Sequence, residues 1–509
     1  FLADRNLLPK SMADETIAAG LFDNRKSAEA TSTWLDKTFN GDLLPLSDEI
    51  FTRLPDSAYQ VLGDVLRRAP DSQLFLGWEE KWDNLDFSHI PVGVLSQAYE
   101  LYLRNHAPAR QRREGGYYTP RSIADLLVRA SFRALERQEV THQARVLDPA
   151  AGAGVFLLTA FRELVAERWR IEGQRPDTSA LRSILDGQIV GFDINEAALR
   201  FAALGLYLMS IELDPNPRPV DKLRFKNLRG KVLHRISAES EVAGARLGSL
   251  GPLVGDEHVG CYDLVVGNPP WASGTKLPDW QLVCETVARI AAERGITEAP
   301  PLPNEVLDIP FIWRAMEWAK PGGQITFALH ARLLFQQGDG MAESRQALFD
   351  TLDVTSVING AELSAPFCLL FATNRTPAGS AGFRFISPRI ETSLNDASVM
   401  RIDASNAEVV PAHQLRGTPE TLKILFRGTK ADLGIVERIR SQGHPTLRAF
   451  WIETIGAGER GRLKGSGNGY QTLKPSSRVR KQGDGLPGVD AHYLHGIPEV
   501  TAESFTELE

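Results

Sequence analysis

Near the middle of the chain, Asn268-Pro269-Pro270-Trp271 sets a rigid amide, a free backbone carbonyl and an aromatic face side by side. Proline has no N–H and a fixed φ, so the Asn268 side-chain oxygen and the Pro269 carbonyl can both face a guest without competing backbone donors. Two converging acceptors suit a planar NH2 group. An exocyclic amine is a poor nucleophile because its lone pair is delocalised into the ring. Acceptors aimed at both of its hydrogens favour a pyramidal nitrogen with that pair freed. Trp271 offers a face on which the ring can stack. The plain structural alternative is a proline turn closing a buried strand.

A second constellation is Asp148-Pro149-Ala150-Ala151-Gly152-Ala153-Gly154, which follows the apolar run Val146-Leu147 and opens a helix. Glycines there let a ligand approach the backbone, and the helix N-terminus favours a carboxylate. Asp193 ends the next apolar run, flanked by Phe192 and Ile194. In doubly wound folds an acidic residue at this place accepts hydrogen bonds from ribose hydroxyls. Its separation from the glycine turn exceeds the usual dinucleotide spacing by a helix and the loop around Pro176, which disfavours NAD. By itself such a turn is as readily a purely structural strand-to-helix connection.

The elements that must position these residues change in texture along the chain. Residues 1–110 read as a helical domain, with Val61, Leu62, Val65 and Leu66, then Val94, Leu95, Ala98, Tyr99, Leu101 and Tyr102, recurring at helical spacing. A basic, glycine-bearing loop containing Arg112 and Arg113 leads through Tyr117-Tyr118-Thr119-Pro120 into a helix that Pro120 is placed to start. From about 144, short β-branched runs alternate with amphipathic helices. That pattern implies a mostly parallel sheet covered on both faces. Further strands are expected over 324–329, 354–358 and 368–372, so the α/β domain spans 111–375. Residues 376–444 read as an irregular β and helical connector, and 445–509 as a glycine-bearing segment with a local basic patch.

At 509 residues the chain should hold about three domains and bury a large core. Hydrophobic residues at 43% and charged residues at 24% leave no room for a disordered majority. The three cysteines lie far apart without paired metal spacing, so a reducing cytoplasm and no metal are expected. No apolar run is long enough to cross a bilayer, and no secretion signal opens the chain. A net charge of -7 excludes a uniformly basic coat, and any DNA contact must use local patches. The chain starts at Phe1 in a helical phrase that reads as entered partway, as in a fragment of a longer protein.

Taken together, Tyr117-Tyr118-Thr119-Pro120, the Asp148 loop, Asp193 and Asn268-Pro269-Pro270-Trp271 occur in an order that strongly resembles gamma-class adenine-N6 DNA methyltransferases, over roughly residues 85–375. The lead-in from Asp86 to Glu100 resembles that of the large restriction-modification and phage-defence members. The resemblance implies a doubly wound, seven-stranded Rossmann-like domain binding S-adenosylmethionine, preceded by a helical domain and followed by a DNA-recognition region. Its implied target is an adenine flipped out of double-stranded DNA.

Carried over by position, Tyr118, Thr119, Pro120 and Asp148 hold the methionine end of the cofactor. Pro149, Ala150, Gly152 and Gly154 form the backbone pocket, and Asp193 with Ile194 meets the ribose side. Pro310 and Phe311 match a segment packing near the cofactor adenine, with ordinary core as the alternative, and Phe367 walls the base pocket. Asn268, Pro269, Pro270 and Trp271 carry the transfer. Three departures stand out. Ala151 and Ala153 replace the Cys and Ser of many relatives, and Trp271 replaces a Tyr or Phe. No acidic residue closes the run at 232–236, where relatives place one against the cofactor adenine; Glu239 and Glu241 both remain candidates. In the implied mechanism Asn268 and Pro269 orient N6 for in-line displacement, without a metal, a covalent enzyme intermediate or a general base.

Three rival classes share some of these features. The same asparagine-proline-proline logic serves methylation of protein glutamine and of RNA guanine N2, although such enzymes need neither the Thr119 segment nor a long helical lead-in. A nuclease reading rests on Pro70-Asp71 and Glu79-Glu80-Lys81, which superficially fit an acidic metal-binding signature. A non-catalytic DNA-recognition subunit would retain the fold, but intact Asn268 and Asp148 speak against it. In the tail, Arg460, Arg462, Lys464, Lys474, Arg478, Arg480 and Lys481 resemble the opening of a target-recognition domain, with a solvated surface as the alternative. Expected partners are double-stranded DNA and other subunits of a restriction-modification or phage-defence complex, and no membrane. The DNA sequence read, the subunit composition and the choice between those two roles are not legible in the chain.

Overall fold

The computed structural model describes residues 20–39, 48–67, 91–106, 119–136, 141–217, 225–236, 242–271, 277–336, 340–360 and 367–379, with shorter stretches before 20 and between 382 and 443. Tyr118, Arg112, Arg113, Asp71, the 79–81 cluster, Glu239, Glu241 and the basic tail from Arg460 to Lys481 lie outside the described residues. One compact unit covers Phe1–Arg427 and a second begins at Gly428.

The first unit opens with the helices α1 (Arg25–Thr38), α2 (Asp48–Arg53), α3 (Asp56–Arg67), α4 (Val94–His106) and α5 (Arg121–Glu136). Asn24 starts α1 by accepting from Ser27 N at 3.0 Å. Thereafter strands and helices alternate as β1 (Val146–Asp148), α6 (Val155–Glu172), α7 (Thr178–Gln188), β2 (Ile189–Asp193), α8 (Glu196–Leu213), β3 (Leu233–Arg235) and β4 (Tyr262–Gly267). Local chemistry fixes these boundaries. Asp177 caps α7 through Ala180 N at 2.8 Å, Asn195 caps α8 through Ala197 N at 3.0 Å, and Gly173 ends α6 in the left-handed region at φ 69.

The unit continues with α9 (Trp280–Glu293), α10 (Asp308–Trp318), β5 (Ala319–His330), the short α11 (Arg332–Phe335), α12 (Met341–Thr351), β6 (Asp353–Asn359) and β7 (Phe367–Thr373). Strands β1 to β5 are parallel to their neighbours in the order 3-2-1-4-5, and β7 inserts antiparallel between β5 and β6. Side-chain alternation splits the core into two. Leu147, Val190, Phe192 and Val265 face one apolar cluster, whereas Val146, Ile189, Leu264 and Val266 face the other. Both faces are buried, which explains the apolar run Leu264-Val265-Val266 within β4.

The sheet exceeds the expected seven strands. Strand β8 (Gly382–Ile386) pairs parallel with β6, and β11 (Ala407–Pro411) pairs antiparallel with β8, giving nine strands among the described residues. The sheet therefore crosses the boundary expected at 375. Phe383 and Phe385 are buried while Gly382 and Arg384 are exposed, a period-two pattern too short to stand out between Ser- and Pro-bearing loops. Strands β9 (Arg389–Glu391) and β10 (Val399–Arg401) form a separate antiparallel ribbon, and α13 (Thr421–Arg427) adds Leu422, Leu425 and Phe426 to the core. The described part of the second unit is α14 (Lys430–Ser441), capped by Thr429, whose N–H donates to Asp432 Oδ2 at 2.6 Å.

Candidate active site

Asp148, Asp193, Gly267 and His330 are the last residues of β1, β2, β4 and β5, and Phe367 is the first of the antiparallel β7. The topology thus gathers all five along one edge of the sheet, where crossover folds bind ligands. A cavity of about 1300 Å³ opens at the opposite edge, lined by Arg289, Glu293, Arg294, Arg314 and Glu317. Arg289 and Arg314 both pair with Glu317, and Arg294 donates to Thr351 O at 3.0 Å, so this cavity is braced by its own ion pairs and holds none of the predicted site residues.

Asp148 is fully buried. Its Oδ1 accepts from Ala150 N at 3.1 Å, whereas Oδ2 is buried without a hydrogen-bond partner. Burial pushes its carboxyl up to about 8; the Ala150 N–H opposes this and the nearby Asp193 charge adds to it. A cation set against the bare oxygen would restore the carboxylate. The turn that follows is tied to β2: Ala151 N donates to Phe192 O at 2.8 Å and Gly152 N to Asp193 Oδ2 at 2.8 Å. Asp193 Oδ1 also accepts from Asn195 N at 2.7 Å.

The helical lead-in holds the same turn from outside. Ser96 on α4, itself buried, donates to Ala153 O at 2.9 Å, and Tyr99 packs with Ala153 and Ala198. Beyond Asp193, Ile194 leaves 41% of its surface exposed, an apolar face beside the turn at Ala245–Leu250. Ser249 in that turn donates to Pro149 O at 2.6 Å.

On the other side of β1, Asn268 Nδ2 donates to Thr119 Oγ1 at 2.9 Å. With its NH2 so engaged, the amide faces a guest as an acceptor. Trp271 Nε1 donates to Ala328 O at 3.3 Å, and the ring lies 21° from the plane of Phe367 with centroids 6.5 Å apart. Two carbon contacts of ~3.5 Å would fill a gap of that order with one flat ring. His330 stands edge-on to Trp271 at 5.9 Å, and burial pulls its pKa down to about 4, so the imidazole is neutral at ordinary pH.

Pro310 and Phe311 are buried in the first turns of α10, and Phe311 lies in the same apolar cluster as Leu147 and Val265. The polar member of that turn is Asp308, which the sequence reading passed over. It is 1% exposed, and burial raises its carboxyl to about 6 against the opposing pull of Arg332. Arg332, Ser96, Ser249 and His330 were also missed, because single polar residues inside apolar runs carry no spacing signal. Among the residues expected from the motif order, Thr119 is hydrogen-bonded to Asn268 and Gly152 to Asp193, and Asp148 ends the strand beside the one that leads to Asn268 and Trp271.

A family model described as N-6 DNA methylase matches residues 92–383, more than half of the chain. This chain belongs to that family. Helix α4, the glycine turn, the Asn268 loop and strands β1 to β7 all fall inside the matched span, which ends within β8. Over 121 residues, 24% of this chain and 23% of the relative, this family member is 29% identical to the type I restriction enzyme HindI methylase subunit of Haemophilus influenzae. Over 81 residues, 16% of this chain and 13% of the relative, it is 31% identical to the type I restriction enzyme MjaVII methylase subunit of Methanocaldococcus jannaschii. The matches thus span about a quarter or less of those relatives. A solved methyltransferase subunit of a type I restriction-modification system from Streptococcus thermophilus covers 83% of this chain and 82% of its own, at 13% identity and a TM-score of 0.48.

Proposed function

We propose that this N-6 DNA methylase family member transfers a methyl group from S-adenosylmethionine to N6 of an adenine turned out of double-stranded DNA. The observation that carries the reading is the Asn268–Thr119 hydrogen bond, which commits the Asn268 amide as an acceptor beside the Pro269 carbonyl and the Trp271 ring. Extruding a base costs roughly a few kcal/mol, and the near-parallel Trp271 and Phe367 rings offset that cost by stacking on it.

When bound, S-adenosylmethionine supplies an electrophilic methyl group on a sulfonium. Asp148 Oδ2 would hold the ammonium of its methionine end, and the Thr119 hydroxyl, which accepts from Asn268, would donate to its carboxylate. Asp193, which holds Gly152 N, would accept from the ribose, and the exposed Ile194 would offer an apolar face to the cofactor. Asn268 and Pro269 draw both N6 hydrogens, so the nitrogen lone pair points at the methyl carbon. Neutral His330 adds no positive charge beside the slot. The alkylated nitrogen is acidic enough to lose its proton to water.

The type I methylase relatives favour a restriction-modification or related defence setting in the cytoplasm, with further subunits. Among the described residues no helix is long and apolar enough to cross a membrane. In this reading the basic residues from Arg460 to Lys481, with Arg112 and Arg113, contact phosphates. The test supplies the complete protein, in its native complex, with labelled S-adenosylmethionine and double-stranded DNA, structured RNA or cellular protein, followed by mass spectrometry of hydrolysates. N6-methyladenine from DNA is expected. Label appearing instead in guanine N2 of RNA or in protein glutamine would overturn the reading.

A further inference from the structure

Arg332 is a buried cation with no place in the chemistry described so far. It opens α11 two residues beyond the end of β5, with 8% of its side chain exposed, and its Nη2 donates to the backbone carbonyl of Trp271 at 2.8 Å. Its Nε stands 3.9 Å from Asp308 Oδ2, an ion pair with a carboxylate that is 1% exposed. Its own backbone N–H donates to His330 Nδ1 at 3.0 Å, which fixes the imidazole that stands edge-on to Trp271. A buried guanidinium is costly unless its geometry is used, and among the described residues its side-chain hydrogen bond goes to the carbonyl of Trp271, the aromatic member of the Asn268 motif.

We propose that Arg332, held by Asp308, is a positioning residue that latches the Asn268–Trp271 loop from its far end. The inference rests on the function proposed above. Thr119 holds the loop at Asn268, 149 residues away in sequence, and Arg332 holds it at Trp271, 61 residues away. With both ends tied, the acceptors and the stacking ring keep a fixed separation while a base enters. Released at the Trp271 end, the loop loses the tie from its backbone carbonyl to Arg332, while the Asn268–Thr119 bond stays in place. Arg332 touches neither the guest amine nor the cofactor side of β1, so its loss acts on the step in which the base is seated.

The experiment uses the full-length protein in its native complex and compares wild type, N268A, R332A and R332K. Single-turnover methyl transfer, S-adenosylmethionine affinity by calorimetry and 2-aminopurine fluorescence at the target position are measured for each. R332A is expected to transfer about 10- to 100-fold more slowly with cofactor affinity unchanged, and to leave 2-aminopurine less stacked. Guanidinium ion at millimolar concentration, but not sodium chloride at equal ionic strength, should restore part of the rate. R332K keeps the charge and the stem, should fold even if R332A does not, and should lose less. An R332K rate below that of R332A, wild-type rates in both variants, or loss of rate only in step with cofactor affinity would overturn the latch. Absence of transfer to adenine by wild type would instead remove the function on which it rests.

Discussion

Asp148 and Gly267 end neighbouring parallel strands so closely that a Cβ on Gly267 would stand 2.7 Å from Asp148 Oδ1. The carboxylate that faces the cofactor side and the residue that leads into Asn268 therefore share one wall. Gly267→Ala is expected to displace the Asp148 carboxylate, weakening S-adenosylmethionine binding at least ~10-fold while the domain still melts cooperatively. Calorimetric titration and thermal melting check this together. Unchanged affinity would mean that the two strand ends move independently.

Thr119 carries the other shared contact. Thr119→Val removes the acceptor for a half-buried Asn268 N–H at nearly constant volume, at a cost of about 1–2 kcal/mol. Methyl transfer should slow by roughly 10- to 100-fold, and Thr119→Ser should recover most of the loss. Single-turnover rates at saturating cofactor separate this from weakened binding.

Asp148 gives the site a pH signature. Its carboxyl sits near 8 in the ligand-free fold against an ordinary value of 3.8, so between those values the unfolded chain ionises while the folded one keeps its proton. Ligand-free stability therefore falls from this group as pH rises from about 4 to 8 and levels off above. Asp148→Asn should abolish that slope and leave the ligand-free protein more stable than wild type at pH 8.5. In the wild type, cofactor affinity should rise with pH up to about 8, because ionised Asp148 receives the ammonium. Denaturant titrations and calorimetry across that range measure both effects.

Much of this site was legible in the chain because its parts are contiguous. The Asp148 turn and the Asn268 loop each announce a strand end through glycine and proline, and Asp193 follows an apolar run. The partners that hold them were not legible. Ser96 is 57 residues from Ala153, and Arg332 is 61 from Trp271; each is one polar residue whose role depends on tertiary contact alone. The fold was read as far as its periodic runs allowed. Strand β2 buries four of its five residues, whereas β8 buries two and β11 one, so those two carry no comparable apolar run and the sheet was expected to stop two strands early.

The lead-in helix α4 should matter for cofactor binding although it lies outside the strand-and-helix repeat. Ser96→Ala removes a buried hydrogen bond to Ala153 O, worth about 1 kcal/mol. Affinity for S-adenosylmethionine should fall about 5-fold, with the transfer rate at saturating cofactor preserved. A fall in rate without a fall in affinity would place α4 on the DNA side of the site instead.

The most direct test is single-turnover methyl transfer to DNA by Asn268→Ala, with S-adenosylmethionine affinity measured on the same preparation. Transfer about 100-fold slower or more, at cofactor affinity within a few-fold of wild type, is the expected result. A transfer rate equal to that of wild type would contradict the assignment of the Asn268 amide as the acceptor that activates the adenine nitrogen.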